Sequence, residues 1–377
     1  MMSDVYFLKE DGTPAPMKLV HCKDEEKELQ GVLKKNYDLL PGSQIRPDDP
    51  CRWLLIKREM PVPDPGTGGN RWSIDFFFVD QSGMPTFIEC KRFQDTRSRR
   101  EVVGQMLEYA ANGQYYWDRE LLRDYASISV KPKFSDLEEA IRSLEPESGE
   151  SVDDFLELIE NNLREGQIRL IFFMEEAPNE LKSIVDFLNS QMERSEVLIV
   201  EAKQYKKNGL KVIVPRLFGF TEEARRIKKS VTINKGERKK WNEEKFFKQA
   251  SERLSSEQLE AVKRLYTYCK SSGFEIKWGM GKETGAFTVT RANLFPKSII
   301  SVVTKGSVYL NFGALSGNEF IESFRDDFAQ AISEKLGVEL PIDFKGKYPG
   351  IAPADWIHKV DILTGIIQKL IDKYEKT

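Results

Sequence analysis

Asp75, Glu89 and Lys91 are the residues of this sequence whose types and spacing are best suited to chemistry. Two carboxylates with open positions suit Mg²⁺ or Mn²⁺, which prefer oxygen ligands and keep several waters. A neighbouring lysine can orient a water, help to deprotonate it, or offset the charge of a phosphate. Because like-charged carboxylates are costly to desolvate unless a cation lies between them, the three residues together predict a divalent-metal site.

Two apolar runs carry these residues and predict a β-hairpin. Residues 72–80 and 85–91 are rich in Phe, Val and Ile, and they flank a Gly-containing loop at 81–83. A three-residue loop with Gly83 in the left-handed conformation would place Asp75 directly opposite Glu89, on one face of the sheet. Lys91 would then project to the same side. A loop one residue longer would break this pairing, so the predicted site depends on the turn.

A helix is predicted to follow, beginning at Ser98, with Glu101 at the spacing of a capping box. Glu101, Gln105 and Tyr109 recur every four residues and therefore share one helical face. Glu101 is better explained as a helix cap than as a metal ligand, and a place in the core would also explain Tyr109.

An Asp, a hairpin turn, Glu-x-Lys and then a Gln on the next helix together resemble the PD-(D/E)xK nuclease superfamily. Residues 99–111 are similar to the corresponding helix of bacterial endonuclease-like proteins related to the mismatch nuclease NucS. The resemblance implies an α/β fold with a restriction-endonuclease-like mixed sheet flanked by helices. It also implies hydrolysis of phosphodiester bonds that depends on Mg²⁺ or Mn²⁺. One departure is Ile74, which stands where the family pattern has a proline.

The resemblance further implies a role for each site residue. The groups that would hold the metal are Asp75, Glu89 and the Cys90 carbonyl. Lys91 would position or activate the attacking water, and Gln105 would orient Lys91 or the substrate. The Cys90 side chain should point to the opposite face as a small buried residue.

Further residues extend the expected site on both sides. Glu28, on a helix predicted over 24–38, matches a glutamate that lies near the metal in the resembling endonucleases, although acidic clusters of this kind usually face water. The side chains that would ligate the metal or support its ligands are Glu28, Glu101 and Tyr109. Basic residues crowd the start of the second helix, where backbone N–H groups favour anions, and predict phosphate contacts. They are Arg97, Arg99 and Arg100.

The composition limits the class of protein. A net charge of −3 offers no overall basic field, so any nucleic-acid surface must be local. The two histidines argue against nucleases that need several histidine ligands. The four cysteines have no paired spacing and predict reduced thiols. Because no leader and no bilayer-spanning apolar run is found, we expect a soluble cytoplasmic protein without a membrane partner.

The 377 residues predict two domains. The predicted boundaries are 1–222 for the nuclease-like domain, 223–242 for a basic linker and 243–377 for a smaller α+β domain. Strand, helix, strand and strand over 167–219 should extend the first sheet, and its second Glu-x-Lys, Glu201 to Lys203, is interpreted as a strand end with exposed charges. The C-terminal domain carries no catalytic constellation, which leaves target choice, formation of a homodimer or binding of a protein partner.

The predicted activity is that of a DNA endonuclease acting in repair or in defence against foreign DNA. A first alternative is a catalytically silent nuclease-like module that binds nucleic acid or a protein partner. A second is an enzyme that cuts RNA or a nucleotide, since the sequence does not separate DNA from RNA or single strands from duplexes.

Overall fold

The computed structural model describes residues 5–92, 99–145, 151–220, 241–279 and 284–376. Contacts divide the chain into two units. Of the described residues, the first unit holds 5–129 and 156–220, and the second holds the others. Arg97 and residues 223–240 of the basic linker lie outside the described residues, and of Arg99 and Arg100 only the helical backbone is described.

A mixed seven-stranded sheet flanked by helices forms the first unit, as the α/β class predicts. The first unit contains nine strands among its described residues, seven of them in this sheet: β1 Tyr6–Leu8, β2 Pro14–Pro16, β3 Lys18–Val20, β4 Trp53–Pro63, β5 Asn70–Asp80, β6 Pro85–Lys91, β7 Arg169–Met174, β8 Glu196–Lys207 and β9 Leu210–Phe218. The order in the sheet is β3-β8-β7-β6-β5-β4, with β9 also paired to β8, while β1 and β2 pair separately. β4, β5 and β6 form an antiparallel meander, and β6, β7 and β8 run parallel.

The helices that follow β6 connect the parallel strands, and two shorter helices precede β4. The helical elements before β7 are α1 Gly31–Lys35, α2 Gly42–Ile45, α3 Arg99–Tyr116, α4 Arg119–Val130, α5 Leu137–Leu144 and α6 Val152–Arg164. α7, Asn179–Gln191, joins β7 to β8. A crossover of this kind is needed because two parallel strands cannot be joined by a tight turn.

The turn between β5 and β6 has the predicted form. Gly83 has a φ of +62°, in the left-handed region that glycine adopts at low cost. Its N–H donates to the Asp80 carbonyl, and the Asp80 carboxylate accepts from the backbone N–H groups of Ser82 and Met84. The resulting register pairs Phe76 with Ile88 and continues to the turn, which confirms the predicted alignment of the hairpin.

The hairpin is covered by helical segments on both faces. Successive side chains of its strands point alternately to one segment and to the other. Phe76 and Ile88 share a buried cluster with Leu29 and other residues of the first helical segment. Phe77 packs against Trp117, which directly follows α3. Every second side chain of β5 therefore faces the α3 side, and Asp75 has the same parity as Phe77.

The first helix differs from its prediction over 24–38. A π-helical turn, Glu26–Gln30, precedes α1, which ends at Lys35, and a 3₁₀ turn follows at Tyr37–Leu39. Because a π-turn inserts an extra residue into the helical repeat, side chains on its two sides do not keep the phase of a regular α-helix. The segment 64–69 joins β4 to β5.

The second unit has the predicted α+β composition. Its antiparallel sheet runs in the order β10 Glu275–Trp278, β11 Ala286–Arg291, β12 Phe295–Val303, β13 Val308–Leu310 and β14 Gly350–Ile351. Its C-terminal helices are α8 Glu243–Arg253, α9 Ser256–Ser271, α10 Glu319–Leu336, α11 Pro353–Trp356 and α12 Val360–Tyr374. α5 belongs to this unit, because Tyr309 donates to the Glu138 carboxylate and stacks under the Arg142 guanidinium. Among the described helices, none has the length and apolar character needed to cross a membrane.

Candidate metal and active site

Asp75 lies where the paired part of the β5–β6 hairpin ends. The β5–β6 ladder closes with the pair of Phe76 and Ile88, and Asp75 is the next residue away from the turn. Its Oδ2 accepts from the backbone N–H of Cys90 at 2.7 Å, which ties the side chain of β5 to the backbone of β6. The carboxylate is 9% exposed, so the hairpin holds a charge at a buried position.

Glu89 and Lys91 complete the group on β6. Lys91 Nζ lies 2.8 Å from Glu89 Oε1, and Glu89 is only 6% exposed. The second oxygen, Glu89 Oε2, is buried and has no hydrogen-bond partner among the described residues. A buried carboxylate oxygen without a partner is costly, so this atom marks a position where a further positive group would be stabilising.

The electrostatics of the three residues follow from burial and proximity. Burial and the Glu89 charge raise the pKa of Asp75, and burial likewise raises the pKa of Glu89 despite its pairing with Lys91. Burial works to lower the pKa of Lys91, but attraction to Glu89 and Glu25 outweighs it and leaves that pKa above its ordinary value. The fold therefore holds the two carboxyls at a cost that a divalent cation between them would offset.

Glu25, which the sequence interpretation did not select, contacts the site. Its Oε1 lies 3.8 Å from Lys91 Nζ, and its Oε2 accepts from the backbone N–H of Arg92 at 3.1 Å. The predicted residue, Glu28, instead accepts from the backbone N–H of Lys23 at 2.5 Å. Its other oxygen lies 3.9 Å from Lys211. The structure thus brings Glu25, and not Glu28, to Lys91.

Gln30 and Arg58 are two more residues that the sequence interpretation missed. Gln30 Nε2 donates to Asp75 Oδ1 at 2.9 Å, and Arg58 Nη2 donates to Gln30 Oε1 at 2.8 Å. The one available signal was the place of Gln30 beside Leu29 in the apolar part of the first helix, since a buried glutamine requires hydrogen-bond partners.

Glu59 introduces backbone strain next to Arg58 and close to the site. Its φ is +50°, in the left-handed region that non-glycine residues seldom adopt. Its charge adds to the increase in the pKa of Asp75, and its carboxylate accepts from the Ser73 hydroxyl. Strained residues of this kind cluster at functional sites, which supports a functional interpretation of this part of the sheet.

Of the three predicted residues on α3, Tyr109 lies close enough to the carboxylates to be affected by their charge. Tyr109 is buried, and burial together with the Glu89 charge raises its pKa to about 12. The Gln105 side chain is half-buried one turn earlier on the same helix. Glu101 is exposed at the first turn. The predicted cap at Ser98 lies outside the described residues.

The Cys90 side chain is fully buried on the opposite face of β6, in the cluster with Phe76 and Ile88, as predicted. Burial and the charge of Asp75 raise the pKa of its thiol well above the ordinary value, so the thiol is unreactive. Only its backbone carbonyl remains as a candidate ligand.

The residues present fit a magnesium or manganese ion that the protein coordinates only in part, with water in the remaining positions. Among the described residues, no group of three or more His, Cys, Asp and Glu side chains is arranged to hold a metal ion. Two carboxylates, one carbonyl and several waters form a smaller protein contribution, which Mg²⁺ commonly accepts. The unpartnered Glu89 Oε2 is the atom whose environment such an ion would complete.

The second Glu-x-Lys, Glu201 to Lys203, is a structural feature of β8. Glu201 is buried, so the interpretation as a strand end with exposed charges is wrong for this residue. Its carboxylate accepts from the backbone N–H of Ala177 and pairs with Lys182. These contacts tie the chain segment that follows β7 to β8. Lys203 pairs with Glu176 at 3.0 Å.

Comparisons of the chain with protein-family models, with curated proteins and with solved structures returned no match.

Proposed function

We propose that this protein is a metal-dependent nuclease that hydrolyses phosphodiester bonds. Its usual substrate is DNA, which it cuts at internal positions as an endonuclease. The observation that carries the proposal is Glu89, a buried carboxylate with one oxygen paired to Lys91 and the other without a partner among the described residues, beside the second buried carboxylate of Asp75. A restriction-endonuclease-like arrangement of the first unit is part of the same proposal, since its mixed sheet carries the Asp and the Glu-x-Lys on adjacent strands.

Each group of the site has a chemical role in this proposal. Asp75, Glu89 and the Cys90 carbonyl would hold Mg²⁺ or Mn²⁺, which when bound supplies charge stabilisation for the phosphate and the leaving oxygen and acidifies water. Lys91 is held as an ammonium by its carboxylate neighbours, so it acts as a charged donor that orients the attacking water or a phosphate oxygen. Gln105 would orient Lys91 or the substrate from α3.

The proposed partner is nucleic acid, with DNA favoured, in repair or in defence against foreign DNA. α3 is the next described element after the site strand, and Arg97, Arg99 and Arg100 would contact backbone phosphates near its start. The second unit would form a homodimer contact or bind a protein partner. All four cysteines are buried free thiols, which fits a cytoplasmic location.

A silent nuclease-like module is the second candidate, and one observation favours it. Lys91 already pairs with Glu89 and lies near Glu25, so part of the site's negative charge is compensated without a metal. Such a module would bind nucleic acid or a protein without cutting it.

A cleavage assay of the full chain separates these candidates. Supercoiled plasmid, linear duplex, single-stranded DNA and RNA would each be incubated with Mg²⁺ or Mn²⁺. We expect cutting that chelator abolishes and that Lys91→Ala reduces by roughly 100-fold or more, because a positioned proton-transfer or charge-stabilising group contributes at this level.

Lys203→Ala is the matched control, since it removes the lysine of the other Glu-x-Lys and should leave cutting unchanged. The melting temperature of Lys91→Ala should stay near that of the wild type. Equal cutting by Lys91→Ala and wild type, or no cutting of any substrate, would contradict the proposed nuclease.

A further inference from the structure

A continuous chain of hydrogen bonds leads from β4 to the candidate metal ligand Asp75. Arg58 Nη2 donates to Gln30 Oε1 at 2.8 Å, and Gln30 Nε2 donates to Asp75 Oδ1 at 2.9 Å. Gln30 is 7% exposed, and its bond to Asp75 is buried, whereas the bond from Arg58 is partly buried. The other oxygen of Asp75 is held by the Cys90 N–H.

The hydrogen bonds of this chain run in one direction, because Arg58, its first member, can only donate. A guanidinium has five N–H donors and no acceptor, so the glutamine atom facing Arg58 must be the carbonyl oxygen. The amide nitrogen of Gln30 is then turned toward Asp75 and donates to it. Arg58 thereby excludes the flipped amide, in which two oxygens, those of Gln30 and Asp75, would face each other.

Arg58 acts through Gln30, and no hydrogen bond or ion pair joins it directly to Asp75 or Glu89. Its guanidinium lies over the Phe76 ring, 5.8 Å from the centroid, and Phe76 belongs to the face of β5 opposite to that of Asp75. Its side chain is 25% exposed and lies 3.8 Å from Glu26 and 4.0 Å from Glu59.

We infer that Gln30 and Arg58 are positioning residues for metal binding, which fix the Asp75 carboxylate in the orientation that a divalent cation requires. Each oxygen of Asp75 receives one donor, so the carboxylate cannot rotate, and its remaining lone pairs are left for the ion. Ligating carboxylates are commonly held in this way by residues that do not touch the metal. The inference rests on the proposed metal-dependent function and adds two residues to it.

Calorimetric titration of the full, metal-free chain with Mn²⁺ tests this inference without an activity assay. Gln30→Met removes the donor while keeping the length of the side chain, and we expect Mn²⁺ affinity to fall by roughly 10- to 100-fold. Arg58→Met should also weaken Mn²⁺ binding, because the amide is no longer held in one orientation. Arg58→Lys keeps a donor for Gln30 Oε1 and should restore most of the affinity.

The double variant Gln30→Met/Arg58→Met distinguishes positioning from a general loss of structure. Both changes act through one bond to Asp75, so the double variant should bind Mn²⁺ no more weakly than Gln30→Met alone. Gln81→Met is the matched control, since Gln81 is also a buried glutamine, bonded to the Arg52 N–H and to Asp49 at the other end of the hairpin. It should lower the melting temperature and leave Mn²⁺ affinity unchanged.

The outcomes separate this inference from the proposed function. Wild-type binding of Mn²⁺ with a Gln30→Met affinity within twofold of it would overturn the inference alone. Additive losses from Gln30→Met and Arg58→Met would also overturn it. If the wild type bound no Mn²⁺, the proposed metal site itself would fall, and the positioning role with it.

Discussion

Strand β5 carries two buried aspartates, and their surroundings are opposite. Asp80 Oδ2 lies 3.0 Å from the buried Arg169 guanidinium, and Asp80 Oδ1 accepts from two backbone N–H groups of the turn. Burial works to raise the pKa of Asp80, but Arg169 and Arg46 outweigh it, and the pKa is lowered. Asp75, five residues earlier, lies beside a second carboxylate, and its pKa is raised.

The contrast shows which charges serve the fold. At the turn, Arg169 bridges Asp80 and Glu196, and Arg46 lies 3.7 Å from Asp80, so negative and positive charges are balanced. At the other end, the Lys91 ammonium faces Glu89 and Glu25 while Asp75 adds a further negative charge, which leaves an excess of negative charge. A fold gains no stability from this excess, so we interpret it as a cost retained for cation binding.

Asp80→Asn should have the largest effect on stability. The variant keeps an oxygen for the turn but leaves Arg169 partly uncompensated, and removal of one partner from a buried pair costs about 3–5 kcal/mol. Because the folded-state pKa of Asp80 is lowered, its contribution is present above the unfolded value of 3.8 and is lost as pH falls below it. Urea unfolding at pH 7 and at pH 3 measures both predictions.

Arg164→Gln provides the control for Asp80→Asn, because it removes an exposed partner of Glu160 and should cost at most about 1 kcal/mol. A loss from Asp80→Asn that is no larger than this control would remove the distinction between the two ends of the strand.

Asp75→Asn should change the stability of the protein in the opposite direction, and by a smaller amount. In metal-free protein the variant should be more stable than the wild type at pH 8, by about 1 kcal/mol, since relief of charge burial exceeds the loss of one hydrogen bond. The folded-state pKa of Asp75 is raised, so the wild type loses stability as pH rises from the unfolded value of 3.8 toward neutrality. The gap between variant and wild type should therefore widen over this range.

Urea unfolding of the wild type and Asp75→Asn from pH 4 to pH 8, with chelator present, measures this gap. A variant that is less stable than the wild type throughout the range would show that Asp75 supports the fold as Asp80 does. The gap should also shrink when Mn²⁺ is added, because only the wild type gains stability from the bound ion.

Glu25→Gln and Glu28→Gln form the subtlest pair. Glu25 lies 3.8 Å from Lys91, whereas Glu28 holds backbone N–H groups of its own segment, so we expect Glu25→Gln to slow cleavage by about tenfold. Glu28→Gln should leave the cleavage rate within about twofold of wild type. Initial rates on the best substrate provide the comparison, and a larger effect from Glu28→Gln would restore the sequence-based assignment.

The hairpin could be predicted from sequence because its determinants are local. Alternation of apolar residues and Gly83 in a three-residue loop are sufficient to define the register that aligns β5 with β6. The strands and helices from Arg169 to Phe218 also follow from their periodicity.

The partners of the site could not be predicted in the same way. Gln30 reaches Asp75 across a π-helical turn, which changes the phase that a regular helix would give. Glu25 and Glu28 belong to one acidic cluster, and only tertiary packing brings Glu25 to Lys91. The association of α5 with the C-terminal sheet likewise depends on contacts far apart in sequence, such as Tyr309 with Glu138.

Anomalous diffraction from a crystal of the full chain grown with Mn²⁺ would test the central claim that the charge-excess end of β5 holds a divalent cation. We predict a single strong peak contacting Asp75, Glu89 Oε2 and the Cys90 carbonyl, with Lys91 still next to Glu89. A crystal with Mn²⁺ bound elsewhere, and no peak between Asp75 and Glu89, would contradict the claim.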